Sequence, residues 1–237
     1  MPYFKSDQIN LLLIHIPKTG GTSLETYFSS KYNISLDEKS LYTNLELDQD
    51  ILKLNIQLFS YMLPELYKYI ANYIEKKNID INSSLQHLKY SEILTYKDFF
   101  QIDFDNLKIL SVVRNPYTRL VSDLFYYNLI DTDTSKDTVY ETITKCLESA
   151  NGTYDNHFIP QYTYITDENG VLIDNLQLLK QETLNENMTS LGYDDFNLLL
   201  LKNKNTIDYY SYLNSNSIAL INSFYDKDFE LFGYSKL

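Results

Sequence analysis

The chain has one cysteine, Cys146, among 237 residues, which excludes an internal disulfide and any cysteine-cluster zinc site and suits a reducing compartment. A basic surplus is also missing: 20 Lys and Arg stand against 32 Asp and Glu, a formal net charge of -12. A general nucleic-acid binder needs excess cations to neutralise phosphates, so only a local basic pocket is compatible with this balance. Long apolar runs are absent as well. The longest, LLLI at 11–14 and LLLL at 198–201, fall far short of the roughly 20 residues that span a bilayer, and no charged N-terminal segment leads into a secretory apolar stretch. The expectation is a soluble, cytoplasmic protein with no membrane span and no nucleic-acid partner. No repeat, low-complexity linker or composition shift divides the chain, so residues 1–237 are expected to form one domain. With 44% apolar and 15% aromatic residues, the composition is that of a folded protein despite the charge.

What is present is arranged as strand, loop and helix, twice. Residues 9–16, INLLLIHI, are a short apolar run ending in Pro17 and Gly20-Gly21, the pattern of a buried strand feeding a loop. From Thr22 the pattern is helical: Thr22 and Glu25 have capping-box spacing, and Leu24, Tyr27 and Phe28 supply a face to bury. LKILSVV at 107–113 reads as a second buried strand, and Asn115-Pro116 opens a helix to about Asn128. Between the two, residues 50–77 carry apolar side chains at helical spacing, from Phe59 to Ile74, with Pro64 splitting the run. Apolar alternation around Asn169-Gly170 predicts a hairpin; a short strand follows at 176–179, a helix from about Thr183, and helices from about Asn214 to the end. The fold class is α/β, a parallel sheet flanked by helices.

Two stretches carry chemistry. HIPKTGGTSLE, residues 15–25, joins a buried strand to a helix N-terminus, where backbone N–H groups and the helix dipole face an anion. Lys18 adds a charge, and Thr19, Thr22 and Ser23 add hydroxyls; the bland alternative is an ordinary turn with a capping Thr. VVRNPYTRLVS, residues 112–122, holds Arg114 and Arg119, the only arginines in the chain. Arg114 ends a buried strand, where a guanidinium can fork onto a phosphate in the crevice of an open sheet. Ser122, eight residues on, can face the same anion, while Arg119 is expected to pair with a carboxylate. Of the three histidines, His15 is expected to be packed and hydrogen-bonded. His87 suits proton transfer near neutral pH but, alone, is more often structural. His157 either lines a cleft or pins a loop.

Together, HIPKTGGTSLE and VVRNPYTRLVSDLFYY resemble the two cofactor motifs of the sulfotransferase superfamily, close to carbohydrate sulfotransferases of the heparan sulfate 2-O type. HFIPQY at 157–162 and FYDKDFELFGY at 224–234 are similar to later segments of that family. The resemblance implies a single-domain, P-loop-like sulfotransferase fold and the donor 3′-phosphoadenosine 5′-phosphosulfate (PAPS), with 3′,5′-adenosine bisphosphate (PAP) as product. It places Lys18, Thr19, Gly20, Gly21, Thr22 and Ser23 at the 5′-phosphosulfate, and Arg114 with Ser122 at the 3′-phosphate. It makes His87 the general base and Lys18 its catalytic companion, leaves His157 as a substrate-side residue, and requires no metal. The acceptor is a hydroxyl, on a carbohydrate before a protein tyrosine. Relatives acting on sulfated polysaccharides are expected to have basic clefts, so a charge of -12 argues against a highly anionic glycan. Two rivals stand beside this reading. A P-loop kinase or NTPase needs Gly-Lys-Ser/Thr at the loop's end, whereas here Gly21 is followed by Thr22. A catalytically inactive nucleotide-binding module would keep the same motifs.

Overall fold

The computed structural model describes residues 2–36, 85–95, 102–151, 153–167, 169–197 and 207–237; the helix expected at 50–77 lies outside them. A four-stranded sheet has the order β1 (Tyr3–Ser6), β2 (Ile9–Ile14), β3 (Lys108–Val113), β4 (Leu176–Lys180). β1 folds back antiparallel on β2, with Tyr3 opposite Leu12; β2, β3 and β4 run parallel, with Leu13 opposite Leu110 and Ser111 opposite Leu178. The strand expected at 9–16 ends at Ile14, and His15 and Ile16 continue it as buried loop. β1, a four-residue strand, was not anticipated. The hairpin expected at Asn169-Gly170 is a turn closed by a single bridge between Thr166 and Leu172.

Strand alternation divides the core in two. Leu11, Leu13, Leu110 and Val112 face one side, where α1 (Gly21–Tyr32) packs through Leu24 and Phe28. Leu12, Ile14, Ile109 and Val113 face the other side. There they meet α2 (Tyr90–Thr95), α3 (Pro116–Tyr126) and α4 (Lys136–Glu148), of which α2 and α4 were unforeseen. α5 (Leu184–Ser190) joins the first side through Leu184 and Met188, while α6 (Ser215–Phe224) and α7 (Asp226–Phe232) join the second. The result is a mixed α/β protein whose mostly parallel sheet is flanked by helices. Among the described residues no helix is long and apolar enough to cross a membrane.

Because β2, β3 and β4 are parallel, their C-terminal ends share one edge of the sheet. The loops leaving them carry Lys18, Arg114 and Gln181, and all three residues line one cavity. Open α/β sheets place their ligands at that edge.

Candidate active site

The loop after β2 turns twice through the left-handed region, at Lys18 (φ 62°) and at Gly20 (φ 98°), the N-cap of α1. Gly20 offers no side-chain oxygen, and no side-chain cap closes this helix; the Ser23 N–H donates to the Gly20 carbonyl at 3.1 Å, and a helix start without a side-chain cap suits an anion. The expected Thr22–Glu25 capping box does not form. Glu25 is buried and turns back to the His15 ring, 2.5 Å from its Nδ1, while Gln86 Nε2 donates to both carboxylate oxygens at 3.0 Å. Burial opposes the charge on Glu25, yet His15 and Gln86 outweigh it and hold its pKa below the usual value. Gly21 is required for its size: a methyl group there would overlap the His15 ring.

Thr19 faces inward. It is buried, and its hydroxyl donates to the Ile16 carbonyl at 2.8 Å, so it braces the loop and does not line the cavity as Lys18, Gly20, Gly21, Thr22 and Ser23 do. The Lys18 ammonium lies 4.3 Å from the centre of the Tyr126 ring, which stacks on His157 at 5.4 Å. Burial lowers the pKa of Lys18, and Arg114 adds to this while Asp123 opposes it.

Arg114 and Ser122 line the same cavity of about 410 Å³, within the range of about 300–1,000 Å³ usual for small-ligand sites. Arg114 donates from Nε to Thr118 Oγ1 at 3.0 Å and from Nη1 to the Lys18 carbonyl at 3.1 Å, which fastens the first loop to the second and occupies two of its five N–H groups. Its backbone is clamped on both sides by Gln161: the Arg114 N–H donates to Gln161 Oε1 at 2.9 Å, and Gln161 Nε2 donates to the Arg114 carbonyl at 2.8 Å. Buried Asp228 of α7 holds Gln161 in turn, accepting from the backbone N–H groups of Gln161 and Tyr162 at 2.8 Å.

Arg119 departs from expectation. It is fully buried, and its guanidinium donates to the carbonyls of Pro17 (3.1 Å), Ile159 (3.1 Å) and His157 rather than to a carboxylate. Backbone carbonyls of two irregular segments needed a fork of donors, and only an arginine supplies one.

His15, His87 and His157 meet at the cavity wall, His87 in the middle with ring centres 5.0 Å from His15 and 4.9 Å from His157. Each Nδ1 has its own carboxylate: Glu25 at 2.5 Å, Asp155 at 2.6 Å and Asp123 at 2.7 Å, respectively. His15 is packed and hydrogen-bonded as expected, and it also walls the cavity; His157 both lines the cavity and is pinned. Burial pulls the pKa of His87 down to about 3; Asp155 works against that, and His15 and His157 add to it. Asp123 is wholly buried, and its second oxygen has no hydrogen-bond partner among the described residues. The ligand atoms of His87, Asp155 and His157 lie within 4.8 Å of one another, close enough for a cation to reach all three.

Gln86, Tyr126, Asp123, Asp155 and Gln181 escaped the sequence reading. Asp123 follows Ser122 within a quoted motif, but nothing local marks Asp155, which reaches His87 across 68 positions.

At the ends of its parallel strands the α/β sheet gathers an uncapped helix N-terminus, two cations and a row of buried imidazoles, groups of the kind that suit an anion and the movement of a proton. The chain belongs to the Sulfotransferase family, whose model matches residues 1–235, and its reaction class is therefore sulfuryl transfer. No curated protein and no solved structure matches the chain.

Proposed function

We propose that the protein transfers the sulfuryl group of PAPS to a hydroxyl acceptor, on a carbohydrate, in one in-line step with His87 as general base. One observation carries this reading: a single cavity gathers Lys18 and the Gly20–Ser23 loop, Arg114 with Ser122, and His87. The donor supplies an activated sulfuryl group when bound; the rest of the work falls to the chain.

The residues fit such a donor. The uncapped start of α1 and the left-handed turns at Lys18 and Gly20 make a cradle for the 5′ end, with Lys18 as point charge and Thr19 bracing from below. Beside this loop, Arg114 keeps N–H groups beyond the two it has spent and joins Ser122 at the 3′-phosphate. ATP carries no such phosphate. His87 accepts the proton of the acceptor hydroxyl, and His157 flanks that hydroxyl. Positioning and electrostatic stabilisation of the transferring group then account for the catalysis.

Donor consumption measured against a panel of hydroxyl acceptors tests the reading. The wild type turns over, and His87→Ala loses about 10²–10⁴-fold, the usual worth of a general base, while binding PAP as before. Near-normal turnover in that variant would remove His87 from the role. Chelation of divalent ions leaves turnover unchanged; a loss on chelation would reassign His87, Asp155 and His157 as metal ligands.

A further inference from the structure

Among the described residues, one stretch holds three successive non-glycine residues at positive φ: Tyr154 (48°), Asp155 (51°) and Asn156 (63°). Side chains avoid this region, and residues persist there only where their surroundings over-determine them, most often at functional sites. The surroundings here do so. Tyr127 and Tyr164 donate their hydroxyls to the carbonyls of Tyr154 (2.9 Å) and Asn156 (2.7 Å). Arg119 holds the carbonyls of His157 and Ile159, and Tyr225 holds that of Phe158 at 2.7 Å. What this effort accomplishes is the placement of one carboxylate, that of Asp155, on Nδ1 of His87 at 2.6 Å.

We propose that Asp155 is the positioning residue for His87: it selects the imidazole tautomer with the proton on Nδ1 and stabilises the ring once the acceptor's proton has arrived on Nε2. The inference rests on the reading of His87 as the base. A carboxylate accepting from Nδ1–H puts the ring's lone pair on Nε2, the arrangement by which an acid orients a basic histidine without itself taking the proton. As the acceptor oxygen bonds to sulfur, its proton passes to Nε2, and the positive charge formed on the ring faces Asp155. The other nearby carboxylates are committed elsewhere, Glu25 to His15 and Gln86 and Asp123 to His157. Burial and the two flanking imidazoles all disfavour a charged His87, and Asp155 is the group that opposes them.

The test compares Asp155→Asn, which tolerates the left-handed backbone and loses the charge, with Asp155→Glu, which keeps the charge on a longer arm. Asp155→Asn is expected to lose roughly 10²-fold in kcat with the KM for PAPS and the affinity for PAP unchanged, and Asp155→Glu to recover part of that loss. The ¹⁵N shifts of His87 in the wild type are expected to report Nδ1–H. Full kcat in Asp155→Asn, with His87→Ala inactive, overturns the inference and leaves the base in place. Full activity in His87→Ala instead overturns the reading beneath it. If Asp155→Asn does not fold, wild-type ¹⁵N shifts reporting Nε2–H overturn the inference by themselves.

Discussion

His87 takes its chemical character from burial. With a pKa pulled down to about 3 from 6.5, the ring is neutral at and around neutral pH. A base must be unprotonated to act, so kcat/KM is expected to show no acid limb between about pH 8 and about pH 5; a limb centred near 6.5 would mean a solvated ring. The same shift has a stability consequence of fixed sign. Between about 3 and 6.5 the unfolded chain binds a proton that the folded chain does not, so this contribution is complete above 6.5 and is lost as pH falls. Glu25, also held below its usual pKa, acts in the same direction. The placement of single residues was legible where it is local, as for Arg114 just past a strand end. Glu25 was misread because a capping box is a local pattern, whereas its partners His15 and Gln86 lie 10 and 61 positions away.

At the scale of elements, the loop from β2 to α1 and the junction of β3 with α3 were readable because apolar runs, punctuation by glycine and proline, and cation placement all lie within a dozen residues. The segment at 154–159 was not. Its three left-handed residues cost about 1 kcal/mol or more each, and five side-chain hydrogen bonds to its carbonyls, worth about 1 kcal/mol each, offset them. Those donors, Tyr127, Tyr164, Arg119 and Tyr225, come from three other parts of the chain. Gly21 shows how tightly the first loop is built. Its replacement by Ala must push back the His15 ring and with it Glu25 and Gln86, an overpacking cost of about 1–3 kcal/mol. Calorimetry of Gly21→Ala is expected to show a lowered Tm together with weakened PAP binding; a variant unchanged in both would mean that the ring has room to move.

Over the whole molecule, charge and connectivity shape the site differently. A net charge of -12 repels polyanions, so a neutral saccharide acceptor is expected to outcompete a sulfated one in donor-consumption assays, most strongly at low salt. Lys18 and Arg114 form a local exception in the cavity, and the C-terminal helix sustains it through the chain Asp228, Gln161, Arg114. Segments 157–162 and 224–234 thus meet at Arg114, through Gln161 and Asp228. Calorimetric binding of PAP and 5′-AMP to the wild type and to Arg114→Ala tests whether this cavity reads a 3′-phosphate. The wild type is expected to bind PAP at least about tenfold more tightly than 5′-AMP, a margin of about 1.4 kcal/mol, and Arg114→Ala to erase the difference. Equal affinities in the wild type, or a preference for PAP that survives the loss of Arg114, would contradict it.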